Sequence, residues 1–96
     1  MMVVITYDVN TESDDGKRRL RNVAKACKDY GQRVQLSVFE CLLDPARLKL
    51  LQAKLEAIMN KEKDSIRYYN LGNEWKNRIE QVGVKKGLEL DGTLIT

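Results

Sequence analysis

An α+β sandwich, a sheet carrying two helices, is the fold class this sequence predicts. Three observations carry it: an apolar strand near the N-terminus, two segments with helical hydrophobic spacing, and an alternating stretch between them without a helical period. In chain order these read strand, helix, two strands, helix, strand.

The first strand covers residues 3–9, with Val3, Ile5, Tyr7 and Val9 on one side and Val4, Thr6 and Asp8 on the other. β-Branched and aromatic residues in alternation suit a pleated surface, and apolar character on both sides predicts that both faces are covered. The first helix runs from about residue 15 to residue 30. Leu20, Val23, Ala24 and Cys27 recur at i, i+3, i+4 and i+7, while Lys17, Arg18, Arg19, Arg21, Lys25 and Lys28 crowd the same helix, with basic residues on the face opposite the apolar stripe. Glu12, Asp14 and Asp15 precede it, and Gly31 closes it as a C-terminal glycine.

Residues Gln32 to Leu43 alternate as two short strands meeting near Leu36 and Ser37, or as one sharply bent strand. Asp44-Pro45 opens the second helix, an N-cap acid followed by proline at the first helical position, where the missing N–H costs nothing. Its buried stripe is Leu48, Leu51, Leu55, Ile58 and Met59. A charged stretch, Asn60 to Asp64, leads into a core strand from Ser65 to Leu71, a turn at Gly72-Asn73 and a short edge strand over Ile79 to Val82.

This order defines a ferredoxin-like βαββαβ sandwich over residues 1–82. Residues 83–96 form a C-terminal arm, too short and too apolar for a free linker, that is expected to pair with a neighbouring subunit. Two helices cover only one face of such a sheet. The second face is expected to close against its own copy across a two-fold axis, giving a homodimer.

Composition narrows the function. The 96 residues are 43% hydrophobic and 32% charged, ordinary for one folded domain. No apolar run approaches the roughly 18 residues that span a bilayer, so the expectation is an untargeted cytoplasmic chain without a membrane partner. There is no histidine. That removes the usual general base, the histidine-dependent nucleophile triads and most zinc sites. Cys27 and Cys41 fall inside apolar patterns and read as small buried hydrophobes. Any metal is then a hard cation held by carboxylate oxygen and water. A net charge of +3 is mild, but its clustering on the first helix makes that helix either a solvated face or a surface for a polyanion.

Asp8, an acid closing an otherwise apolar strand, is the residue least explained by packing. The Tyr7-Asp8 pair, the arginine-rich first helix and the block Gly31-Gln32-Arg33-Val34-Gln35-Leu36-Ser37-Val38-Phe39-Glu40-Cys41 resemble CRISPR-associated adaptation protein two, the small partner of the CRISPR spacer integrase. The resemblance spans residues 3–82, and Leu94-Ile95 is similar to one branch of that family.

It implies a ferredoxin-like homodimer that joins dimers of the integrase subunit during spacer acquisition. Several members are magnesium-dependent nucleases acting on single-stranded RNA or duplex DNA, and others act as DNA-binding scaffolds. On this chain the resemblance implies Asp8 as catalytic and Mg²⁺-binding residue, Arg18, Arg19, Arg21 and Arg33 as nucleic-acid contacts, and Tyr7, Ser37 and Phe39 in support.

Chemistry agrees, because phosphodiester hydrolysis needs an activated water and a neutralised phosphate, and Asp8 with its symmetry mate could hold one divalent ion. By strand alternation Tyr7 faces away from that pair. Plainer roles stand beside these: Asp8 as a strand-end acid, Arg33 as a strand-edge base, Ser37 as the bend, Phe39 as packing. Arg18, Arg19 and Arg21 cannot all face one way on a helix. An RNA-recognition module on the same topology is disfavoured, since Arg33 to Phe39 lacks the glycine and carries a single aromatic.

Overall fold

The computed structural model describes residues 1–84. Six regular elements follow the expected order: β1 (Met2–Asp8), α1 (Asp14–Lys28), β2 (Gln32–Gln35), β3 (Val38–Leu42), α2 (Pro45–Ile58) and β4 (Ser65–Gly72), with a 3₁₀ turn at Trp75–Arg78. The strands form one sheet in the order β2-β3-β1-β4, and every neighbouring pair is antiparallel. The alternating stretch is therefore a hairpin, and its turn falls at Leu36-Ser37 as the pattern predicts.

Alternation along β1 sorts the molecule into two faces. Val3, Ile5 and Tyr7 point into a core completed by Phe39 and Cys41 of β3, Val23, Ala26 and Cys27 of α1, and Leu51 and Leu55 of α2. Both helices thus lie on this face. The opposite face carries Val4, Thr6 and Asp8, flanked in register by Val38 and Glu40 on β3 and by Ser65, Arg67 and Tyr69 on β4. On that open side Leu42 is 58% and Tyr69 43% exposed.

Each helix start is capped. Asp44 Oδ1 accepts from the Arg47 amide at 2.8 Å ahead of Pro45, as expected, and Ser13 Oγ accepts from the Gly16 amide at 3.0 Å. Both cysteines are buried and unpaired, with thiols pushed up to about 12 mainly by burial, so they are packing residues and poor nucleophiles.

Several expectations need correction. Gly31 is not the left-handed cap of α1: the helix ends at Lys28, and the amides of Tyr30 and Gly31 both donate to the Cys27 carbonyl, at 3.0 and 2.9 Å. Glycine is required there because a Cβ would strike the Cys41 sulfur and lie 2.5 Å from the Glu40 carbonyl oxygen. β4 does pack Ile66 and Tyr68 against the core, but only half-buried, because among the described residues it lies at the edge of the sheet with β1 as its sole ladder partner. Residues 79–82 form no strand: they have no ladder partner among the described residues, and all but Ile79 are exposed. The proposed arm falls largely outside the described residues. Among the described residues, no helix is long and apolar enough to cross a membrane.

Candidate metal and nucleic-acid site

β1 delivers Asp8 to the rim of the sheet. Its Cα partner is Ser65, the first residue of β4, and its side chain is exposed on the open face. A carboxylate offers the oxygen ligands that Mg²⁺ takes, so the donor chemistry suits a hard cation, and one chain contributes one such ligand here. Among the described residues there is no group of three His, Cys, Asp or Glu side chains able to hold a metal ion.

The residues expected to support Asp8 gather on the other face. The Tyr7 hydroxyl donates to the Leu36 carbonyl at 3.2 Å, and the Tyr7 amide donates to the Ser37 carbonyl at 3.2 Å. Tyr7 thereby fastens the β2–β3 turn. Its ring stacks on Phe39, centroids 6.2 Å apart, and the Arg33 guanidinium lies 5.1 Å from the Phe39 centroid. Arg33 and Phe39 are Cα partners across the hairpin. Burial raises the Tyr7 phenol above its ordinary pKa, with Arg33 acting in the opposite direction, so this tyrosine stays protonated. Arg33 is half-buried, and its Nε has no hydrogen-bond partner among the described residues. Asp8 is therefore separated by the sheet from Tyr7, Phe39 and Arg33, and the Leu36-Ser37 turn lies at the same end of β1.

The helical arginines also divide. Arg18 and Arg21 are exposed, together with Lys17, Lys25 and Lys28. Arg18 pairs with exposed Asp15, a surface contact of little energetic weight. Arg19 turns inward. Its side chain is 12% exposed and meets a fully buried partner, Asp64, through Nε at 2.8 Å and Nη2 at 3.2 Å.

Asp64 is the residue that sequence reasoning missed. It reads as one more acid in a charged loop, yet it accepts from Arg19 and from the amides of Asn10 (3.0 Å) and Asn60 (2.9 Å). The Arg19 hydrogen bond is the largest cause that lowers its pKa from 3.8 to about 2, against desolvation. A carboxyl with a depressed folded-state pKa stabilises the fold above its unfolded value and loses that contribution as pH falls through the folded value. Stability should thus decline between roughly pH 4 and pH 2, and Asp64→Asn should flatten that part of the profile in acid titrations followed by circular dichroism.

A single-sheet α+β protein of βαββαβ order, with an exposed acid at the rim of its open face and a basic first helix, is the class these features define. A family model described as CRISPR associated protein Cas2 matches residues 1–79. The chain is 57% identical to CRISPR-associated endoribonuclease Cas2 3 of Rhodospirillum rubrum over 98% of this chain and 99% of that protein. It is 52% identical to CRISPR-associated endonuclease Cas2 of Halalkalibacterium halodurans over 99% of each. Among solved structures, Streptococcus pyogenes Cas2 at pH 6.5 superposes with a TM-score of 0.76 at 54% identity, covering 86% of this chain and 100% of that one. The chain belongs to the CRISPR-associated Cas2 family.

Proposed function

We propose that this chain is a CRISPR-associated, Mg²⁺-dependent endonuclease that hydrolyses phosphodiester bonds of RNA or DNA as a homodimer. In the same assembly it serves as the DNA-binding subunit of the spacer integrase, contacting the integrase subunits. The observation that carries this reading is the position of Asp8, exposed at the rim of a sheet face that neither α1 nor α2 covers. We read the strand order β2-β3-β1-β4, with both helices on one side, as a ferredoxin-like sandwich. Its open face exposes Leu42 and Tyr69, apolar surface suited to a second copy. The relatives named as endoribonuclease and endonuclease support the reaction class.

With two open faces apposed, Asp8 from each copy would hold one Mg²⁺. Mg²⁺ bound there would supply a water activated near neutral pH and neutralise phosphate charge. The protein's own part is positional. β1 is paired on both sides, to β3 and β4, so Asp8 sits on a rigid element rather than a loop. Tyr7 acts from the far side of the sheet by holding the Leu36-Ser37 turn, and Phe39 and Arg33 pack behind it.

The test of the nuclease reading is cleavage of matched single-stranded RNA and duplex DNA by highly purified protein. Cleavage should rise with Mg²⁺, stop with a chelator and be lost in Asp8→Asn. Cleavage that survives in the variant would count against it.

A specific observation favours the scaffold role beside catalysis. Arg18, Arg21, Lys25 and Lys28 are exposed along one helix, a charged surface suited to a phosphate backbone. Log affinity for duplex DNA should fall with log salt at about 0.9 per phosphate contact, and replacing Arg18 or Arg21 by Gln should make the slope shallower by about one contact per chain. An unchanged slope would remove α1 from the interface.

A further inference from the structure

We infer that Asp64, acting through Arg19 and the Asn10 amide, is a positioning residue that fixes the Asp8 end of β1. The claim about cleavage rests on the proposed role of Asp8, while the claim about geometry stands on contacts alone.

The carboxylate of Asp64 has no exposed side-chain surface, an unusual position for an aspartate. A buried acid persists only when its oxygens are satisfied, and both are: Oδ1 accepts from the Asn10 amide and Arg19 Nη2, and Oδ2 accepts from Arg19 Nε and the Asn60 amide. The two Arg19 contacts form a fork whose geometry is directional, so the pair sets orientation as well as charge balance.

The segments joined here matter more than the energy of the pair. Asn10 follows Asp8 by two residues. Asp64 directly precedes Ser65, the residue facing Asp8 across the β1–β4 ladder. Arg19 belongs to α1, and its Nη2 also donates to the Asn10 carbonyl at 3.5 Å. That carbonyl packs directly against Gly16, where any Cβ would collide with the Asn10 oxygen. One buried carboxylate therefore ties the chain immediately after Asp8, the chain immediately before its ladder partner, and the helix that carries Arg18 and Arg21. Arg19 serves inward in this arrangement, and contact with phosphate falls to its exposed neighbours.

The experiment compares wild type, Asp8→Asn, Asp64→Asn and Arg19→Lys, the last keeping the charge but losing the fork. Amide hydrogen exchange without metal is read at Asp8 to Asn10 and at Ser65, with Val3 to Ile5 as the core reference. Cleavage is then titrated with Mg²⁺. Asp64→Asn and Arg19→Lys should speed exchange at the strand end by at least about tenfold, leave the core reference unchanged, and raise the Mg²⁺ midpoint about 10- to 100-fold, as lost outer-shell support usually does. Affinity for nucleic acid should be retained. Exchange that stays at wild-type rates, or that speeds equally in strand end and core, would overturn the inference. If Asp64→Asn does not fold, Arg19→Lys is read by the same criteria. If Asp8→Asn cleaves normally, the metal reading falls, and the exchange data alone decide whether Asp64 positions the strand end.

Discussion

Asp8→Asn should lose Mg²⁺-dependent cleavage by at least about a hundredfold, because a catalytic divalent ion contributes several kcal/mol of transition-state stabilisation and each 1.36 kcal/mol is about tenfold in rate. The variant should fold normally: Asp8 is exposed, caps no helix, and asparagine preserves its shape. Duplex DNA binding should persist, since the exposed bases of α1 are untouched. The proposed two-copy arrangement sharpens the expectation. Wild-type protein re-equilibrated with excess Asp8→Asn should lose activity beyond simple dilution, because mixed dimers present one carboxylate where the ion needs two. A steady-state cleavage assay over a mixing series measures this, and activity strictly proportional to the wild-type fraction would mean that each copy works alone.

Phe39→Ala should cost on the order of 3–5 kcal/mol, a large share of the roughly 5–15 kcal/mol that keeps a small domain folded. Phe39 is the largest fully buried side chain, at 0% exposure, and lies on β3 between β1 and β2. Truncation would open a cavity beneath the helices, remove the surface on which Tyr7 stacks and strip the cover from the Arg33 guanidinium, whose Nε lacks a hydrogen-bond partner among the described residues. A thermal melt followed by circular dichroism should shift down by about 15 °C or more. Phe39→Leu should recover most of that loss and keep nucleic-acid binding. An aromatic that stacked on a base would behave in the reverse way, losing binding in Phe39→Leu while the fold held.

Local chemistry made much of the fold legible. Alternation located β1 and the break near Leu36-Ser37, which the structure resolves as a hairpin rather than a bent strand, Asp44-Pro45 located the start of α2, and the apolar spacing of α1 located its buried face, because each signal is written within a few neighbouring residues. The same signals separate Asp8 from Tyr7 by one step of the pleat, and the structure keeps them on opposite faces. Partnership over distance was not legible. Arg19 and Asp64 stand 45 residues apart, and nothing local to either distinguishes Arg19 from Arg18 or Arg21. Gly31 shows the same limit. At the end of a helix glycine suggests a cap, while the actual constraint is the close approach of β3, visible only once the hairpin has folded back. β4 reads as a core strand and does pack Ile66 and Tyr68 against the core, but its place in the strand order is not written in its own residues.

Asp8 is proposed as half of a shared metal site. Its most direct test is the stoichiometry of Mg²⁺ binding, measured by isothermal titration on purified wild-type and Asp8→Asn protein whose oligomeric state is followed in parallel. One ion per two chains, abolished in the variant, is the expected result. One ion per chain, or binding unchanged by the substitution, would contradict it.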